Sequence, residues 1–313
     1  MSQEWKRRQV PLKFQLSGLT LFAPELSLNV RDAGLMEETT PVSTLQPPAD
    51  PLDAGCSGFL IWSLPVQQEQ PTLRSLPDYL CYVPSQYQRY YIDLRQSFAD
   101  YKQKFSSKTR STINRKIKKF AERCGGDIRW KAYKNAEEID EFYRLARIVS
   151  AKTYQEKLLD AGLPESEEFR RGMETLAAEG RVRGYILFDG ERPITYLYCP
   201  INRGVLFYQY LGYDPEYISW SVGTILQWYV LEDIFNEGCF RVFDFTEGQS
   251  DHKRMFATHS VRCANVYFLR KSLRCTLLVH AHWAMDTFSK WSGDTLQRFG
   301  LKAKIKKLIR FAR

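Results

Sequence analysis

Asp244-Phe245-Thr246-Glu247-Gly248 and the following His252-Lys253 place two carboxylates, an imidazole and a primary amine in one short segment. Lys253 follows Gly248 on a polar loop after a strand ending in Asp244, so it overhangs the end of a sheet. A solvated lysine beside Arg254 is the alternative. Asp244 reads equally as a turn former, a partner for Arg241, or a group that orients Lys253. Glu247 is a general-base candidate. His252 and His259 titrate near neutral pH, yet neither has metal or triad spacing, and no metal is expected. Tyr210 and Tyr217 offer phenolic protons for a leaving group. The seven cysteines are odd in number, with no C-x-x-C pair, which argues against a disulfide framework or zinc knuckle. Cys199 and Cys239 sit in apolar contexts and read as core.

The elements that position this segment follow from turn signals and apolar runs. Leu12 to Phe22, Phe59 to Leu64 and Tyr79 to Leu94 read as strands, around a proline-rich loop from Met36 to Asp53. From Asp100 to Arg123 strong helix formers predict a helix broken near Ser106-Ser107. A strand over Asp127 to Tyr133 and amphipathic helices over Ala136 to Tyr154 and up to Gly180 come next. Three strands then follow: Gly184 to Phe188, Ile194 to Cys199 and Val205 to Leu211. They turn at Asp189-Gly190 and Asn202-Arg203-Gly204. Ser219 to Glu237 reads as a buried helix stopped by Gly238, and strands at Phe240 to Phe245 and Ala264 to Leu269 close the pattern.

A meander feeding a buried helix and then another strand is the core of the GNAT acyltransferase fold, an α+β architecture. Three motifs make the resemblance narrower. Leu94 with Phe105-Ser106-Ser107-Lys108-Thr109-Arg110 and the basic run to Lys119 is the first. Gly212-Tyr213-Asp214-Pro215-Glu216-Tyr217 before Ser221-Val222-Gly223-Thr224 is the second, and Asp244 to Gly248 with His252-Lys253 the third. Together they resemble the FemABX-like acyltransferases of the GNAT superfamily, near those found with bacterial cellulose and exopolysaccharide synthesis. Val222 stands where that family has proline, Thr246 where it has glycine, and His252 where it has tyrosine. The usual pyrophosphate signature of two spaced glycines is absent.

The resemblance implies two tandem GNAT-like units, the first degenerate. They are expected as residues 1–125 with the basic connecting helix, and 126–272 as the acyltransferase domain, before C-terminal helices over 273–313. It implies transfer of an acyl group from acyl-CoA, acetyl-CoA first, to an amine or hydroxyl of a sugar nucleotide or envelope precursor. Lys253, Asp244, Glu247 and Tyr217 form the implied catalytic set, with Lys253 binding substrate phosphate or stabilising developing negative charge. The donor would lie where the last meander strand splays from the next. There the backbone of Gln209, Tyr210, Leu211 and Gly212 faces the pantetheine arm. The helix start at Ser221, Val222, Gly223 and Thr224 offers N–H groups and a dipole to a phosphate; ordinary capping is the alternative. An aminoacyl-tRNA-dependent transferase and a non-catalytic scaffold are the rival readings.

Charge locates docking surfaces. The net charge of +9 concentrates in two stripes, Ser97 to Arg123 and Thr295 to Arg313. In the second, Leu301, Ile305, Leu308 and Ile309 fall on one helical face and lysines on the other. That suits an anionic membrane surface; RNA, an acidic partner or a plain solvated helix also fit. With no secretory signal or spanning segment in the pattern, the expected location is cytoplasmic, at most peripheral to the membrane.

Overall fold

In chain order the strands β1 (Lys6–Pro11), β2 (Phe14–Leu16), β3 (Leu19–Phe22), β4 (Glu25–Asp32), β5 (Gly58–Pro65), β6 (Leu73–Ser75) and β7 (Tyr79–Asp93) come first. Helices α1 (Phe98–Gln103) and α2 (Ser107–Arg123), strand β8 (Trp130–Tyr133), and helices α3 (Ala136–Ser150) and α4 (Glu167–Ala178) follow. Next come β9 (Val182–Asp189), β10 (Arg192–Asn202), β11 (Val205–Phe207), β12 (Tyr210–Tyr213), a 3₁₀ turn (Pro215–Trp220) and α5 (Val222–Glu237). Strand β13 (Val242–Asp244), helix α6 (Asp251–Phe256), strand β14 (His259–Arg270) and helix α7 (Leu273–Arg298) complete the order. The computed structural model describes residues 5–16, 19–35, 40–41, 45–153, 156 and 162–298, with the side chains of residues 19 and 290–298 left aside. The basic amphipathic helix expected over residues 301–313 lies outside the described residues.

Two compact units divide the chain: Met1–Gln88 with Val261–Arg313, and Arg89–Ser260. They do not follow the serial boundaries expected at residues 125/126 and 272/273. The basic helix belongs to the second unit, where Ile113 and Phe120 of α2 are buried. The N-terminal strands instead pair with the end of the chain: Phe59 and Leu60 of β5 are in register with Phe268 and Tyr267 of β14. Such long-range pairing leaves no local sequence mark.

The second unit carries the meander. Antiparallel β8, β9 and β10 run side by side, β10 hands on to β11, and β11 pairs in parallel with β13. Asp189-Gly190 supplies the tight turn between β9 and β10, with Gly190 at φ 60°, a region glycine enters without steric cost. The break expected near Ser106-Ser107 is real. Ser106 caps α2 by accepting from the Thr109 N–H at 3.1 Å, so a new helix starts there. Helix α5 buries Val222, Ile225, Leu226, Val230, Leu231 and Ile234, as the uncharged run before Glu232 requires. This α+β arrangement is a GNAT-like fold.

Candidate functional site

The expected third strand of the meander is two strands. Val205, Leu206 and Phe207 pair with Val242, Phe243 and Asp244, and the Tyr208 N–H donates to the Asp244 carbonyl at 2.8 Å. There the two strands part. Residues Tyr210–Tyr213 pair with β10 alone, so the other edge of β12 faces the opening with its ladder unmade.

A cavity of about 260 Å³ occupies the second unit at this parting, lined by Tyr208, Gln209, Tyr210 and Leu211 on one side. Thr246, Glu247 and Lys253 line it from beyond β13, and Thr153, Gly162 and Tyr196 complete it. The structure thus brings together Gln209, Tyr210, Leu211, Glu247 and Lys253 from the expected site.

Lys253 sits in the first turn of α6, a short helix where a polar loop was expected. Ser250 caps it by accepting from the Lys253 N–H at 3.2 Å, and this Ser-to-N3 contact fixes the helix start. The Lys253 ammonium donates to the Glu247 carbonyl at 2.6 Å. Burial pulls its pKa below the ordinary lysine value, opposed by Asp244 and Glu247. The Glu247 side chain is exposed. Thr246 lies at φ 58°, the left-handed region that a β-branched residue rarely adopts. Its N–H donates to Asp244 Oδ1 at 2.8 Å and its hydroxyl to the Tyr208 carbonyl at 3.3 Å. The position where relatives are expected to carry glycine therefore keeps the conformation glycine would favour.

Asp244 does not line the cavity. Its fully buried carboxylate takes two bonds from Arg89, Nε to Oδ1 at 3.1 Å and Nη2 to Oδ2 at 2.5 Å. Among the described residues neither Arg241 nor the Lys253 side chain bonds this carboxylate; Arg241 instead donates to the Arg203 carbonyl. Arg89 lies 155 residues away in sequence, which hid the pair. Tyr217 is likewise set apart. Its hydroxyl donates to Asp189 Oδ2 at 2.7 Å, and Arg123 and Arg192 cover its ring at 5.3 and 5.4 Å. It pins the 3₁₀ turn to the β9–β10 hairpin, and it does not line the cavity.

Tyr210 lines the cavity, and Tyr217 does not. Its ring is wedged against Phe169 and Tyr198, and burial raises its pKa, so the phenol stays protonated near neutrality and can give a proton. Tyr208 also lines the cavity but packs between Phe243 and Phe245. His252 is half-buried, with its buried Nε2 unpartnered among the described residues and its ring 4.9 Å from Phe256. Burial, with Lys116 and Lys253 nearby, lowers its pKa to about 4. His259 instead stacks on Tyr91 at 5.3 Å.

At the start of α5 the expected row of N–H groups is shorter than four. The Ser221 N–H donates to the Ile218 carbonyl and the Thr224 N–H to the Ser221 carbonyl. Val222 and Gly223, the first two residues of α5, have no carbonyl of their own helix for their N–H groups to bond. Ser221 is in the left-handed region (φ 56°) and makes no side-chain cap bond. A Cβ at Gly223 would meet Leu211 Cδ2 at 3.6 Å and Tyr213 Cδ1 at 3.8 Å, ordinary contacts. Packing therefore does not demand glycine there. It does at Gly212, where a Cβ would collide with the Tyr196 ring; this glycine serves the sheet. Cys199 is fully buried and its thiol pKa is raised by burial, as core; Cys239, read as core, is exposed. Among the described residues no three His, Cys, Asp or Glu side chains gather to hold a metal, and no helix is long and apolar enough to cross a membrane.

Thr153, Gly162 and Tyr196 were not singled out from sequence. Thr153 lies within the helix expected to run to Tyr154 but follows the end of α3 at Ser150, and no local signal marked these three as a cavity wall.

Residues 107–254 match the model of the acetyltransferase (GNAT) domain. No curated protein matches the chain. Solved structures similar to it include FemX, at 9% identity over 88% of this chain and 90% of that one, with a TM-score of 0.49. L-PGS from Bacillus licheniformis is similar at 13% identity over 71% of each chain, TM-score 0.44. A GCN5-related N-acetyltransferase from Kribbella flavida is similar at 10% identity over 62% of each, TM-score 0.34. The segment that matches the GNAT acetyltransferase model contains the meander, the parted strands, α5 and Lys253.

Proposed function

We propose that this protein is an N-acyltransferase of FemABX-like character that moves an acyl group from acyl-CoA to an amine on a sugar nucleotide or exopolysaccharide precursor. The observation that carries the reading is the parting of β12 from the β11–β13 pair beside Lys253 and Tyr210. An open strand edge can bond an amide-bearing arm, and the N–H groups of Val222 and Gly223 at the start of α5 can take a phosphate. The space beside Gly223 fits that use.

When bound, acyl-CoA supplies an activated thioester carbonyl. The β12 backbone orients that carbonyl and its N–H groups face the oxygen on which charge develops. Glu247 takes the proton of the incoming amine, directly or through water. Tyr210 gives its phenolic proton to the departing sulfur. Lys253, held by the Glu247 carbonyl, places a positive charge beside the reacting carbonyl or a phosphate of the acceptor.

A tRNA-linked donor is the second reading. Lys108, Arg115, Lys118 and Lys119 on α2 are exposed and have no acidic partner among the described residues, a row that suits a phosphate backbone. Calorimetry with acetyl-CoA, longer acyl-CoAs and charged tRNA separates the two. Binding of acyl-CoA at micromolar affinity supports the first, binding of charged tRNA alone supports the second, and binding of neither leaves a scaffold. Lys253→Ala is expected to abolish turnover without changing the denaturation midpoint; full activity in that variant removes Lys253 from the mechanism.

A further inference from the structure

Nine large apolar side chains of the described residues stand exposed, and seven of them lie on two elements of the first unit that touch each other. Leu16, Leu21 and Phe22 belong to the β2–β3 hairpin, where Leu21 is 52% and Phe22 51% exposed. Leu273, Leu277, Trp283 and Phe288 belong to α7, with Leu273 at 79% and Phe288 at 54%. Isolated exposed leucines need no explanation, but a concentration of this kind marks an interaction surface.

The elements adjoin through His282. Its Nε2 lies 3.1 Å from the Lys13 carbonyl and its ring meets Phe14 edge-on at 5.1 Å. Phe22 stacks on Phe14 at 4.2 Å. The opposite face of α7 is already used: Cys275 and Val279 are buried in the core of this unit, with Leu278 and Met285 packed on it. Leu273, Leu277, Ala284 and Phe288 follow at steps of four, seven and four, one stripe on the far side.

The charge around this face is mostly positive. Lys13, Arg270, Lys271 and Arg274 are exposed and are in no ion pair among the described residues. Asp286 is the one acidic residue among the described side chains of α7. Residues 299–313, which continue the chain from α7, contain six basic residues and no acidic one.

We propose that the outer side of α7 forms a docking face for an anionic lipid bilayer. Trp283 and Phe288 enter the interface between headgroups and acyl chains, while the basic rim meets lipid phosphates. A second copy of the chain fits less well, because a self-complementary contact would bring two basic rims together. The proposal does not depend on the acyl-transfer reading.

The test is sedimentation of the full chain with vesicles of phosphatidylcholine, with or without about 30% phosphatidylglycerol. Binding is expected only to the anionic vesicles and to weaken with salt. It should fall about tenfold in Trp283→Ala/Phe288→Ala and in Lys271→Glu/Arg274→Glu, from lost apolar burial and lost charge. Leu277→Ser gives a second reading should the double variant not fold, as judged by circular dichroism. Absence of binding, wild-type binding by the folded apolar variants, or binding abolished only when residues 299–313 are removed would each overturn the proposal. So would a concentration-dependent dimer in ultracentrifugation that Trp283→Ala dissolves.

Discussion

Asp244 and Tyr210 show how far residue type and position carry. Asp244 looked as much like a catalytic group as a structural one; the structure gives its carboxylate to Arg89 and to the Thr246 N–H. Removing one partner of a buried ion pair leaves the other charge uncompensated, at a cost of about 3–5 kcal/mol. Asp244→Ala should therefore lower the free energy of urea unfolding by about 3 kcal/mol, and Arg89→Met/Asp244→Leu should recover part of that loss. A fully stable Asp244→Ala that is inactive would restore the catalytic assignment. Tyr210→Phe keeps the ring against Phe169 and Tyr198 and deletes only the proton. It should lower kcat about 10²-fold with KM nearly unchanged, the range expected for a general acid. Unchanged kcat would pass the role to another donor. Lys253 was legible because a lysine after a strand-ending Asp-Phe-Thr-Glu-Gly segment has few other places to go. The Arg89 partner was not, since nothing local links residues so far apart.

The elements were legible where turn chemistry and periodicity agree. Asp189-Gly190 and the Ser106 cap both stand where their residue types demand. The parting at Tyr208 was not legible, because Tyr208-Gln209 contains no breaker; the strand ends there through tertiary pairing with β13. Helix α6 is a further case, six residues held by the Ser250 cap and by Phe256 in the core. It half-buries His252, whose pKa of about 4 lies below the unfolded value of about 6.5. Between those values the unfolded chain binds the extra proton, so stability is complete above about pH 6.5 and falls as pH drops toward 4. The loss by pH 4 is about 3 kcal/mol. Asp189, Asp214, Glu156 and Glu237 are held below the usual carboxylate range, so their contributions fade only at lower pH. Urea midpoints between pH 7 and 4.5 should slope downward in the wild type and flatten in His252→Phe; equal slopes would place the imidazole in water.

At the scale of the whole molecule, the +9 charge divides into surfaces. The α2 row belongs to the second unit with the cavity, and the rim around α7 to the first. Reading the chain from end to end suggested serial domains, and only long-range strand pairing shows the first and last segments folding together. The central claim is that an acyl-CoA lies along β12 with a phosphate at the start of α5. Gly223→Asp tests it most directly. A Cβ fits there, and a carboxylate near a helix N-terminus stabilises the fold by about 0.3–1 kcal/mol. The same carboxylate would repel a bound phosphate. Calorimetry with acetyl-CoA should therefore show micromolar binding to the wild type and at least about tenfold weaker binding to a Gly223→Asp variant that is no less stable. Equal affinity in the two proteins, or no binding to the wild type, would contradict the account.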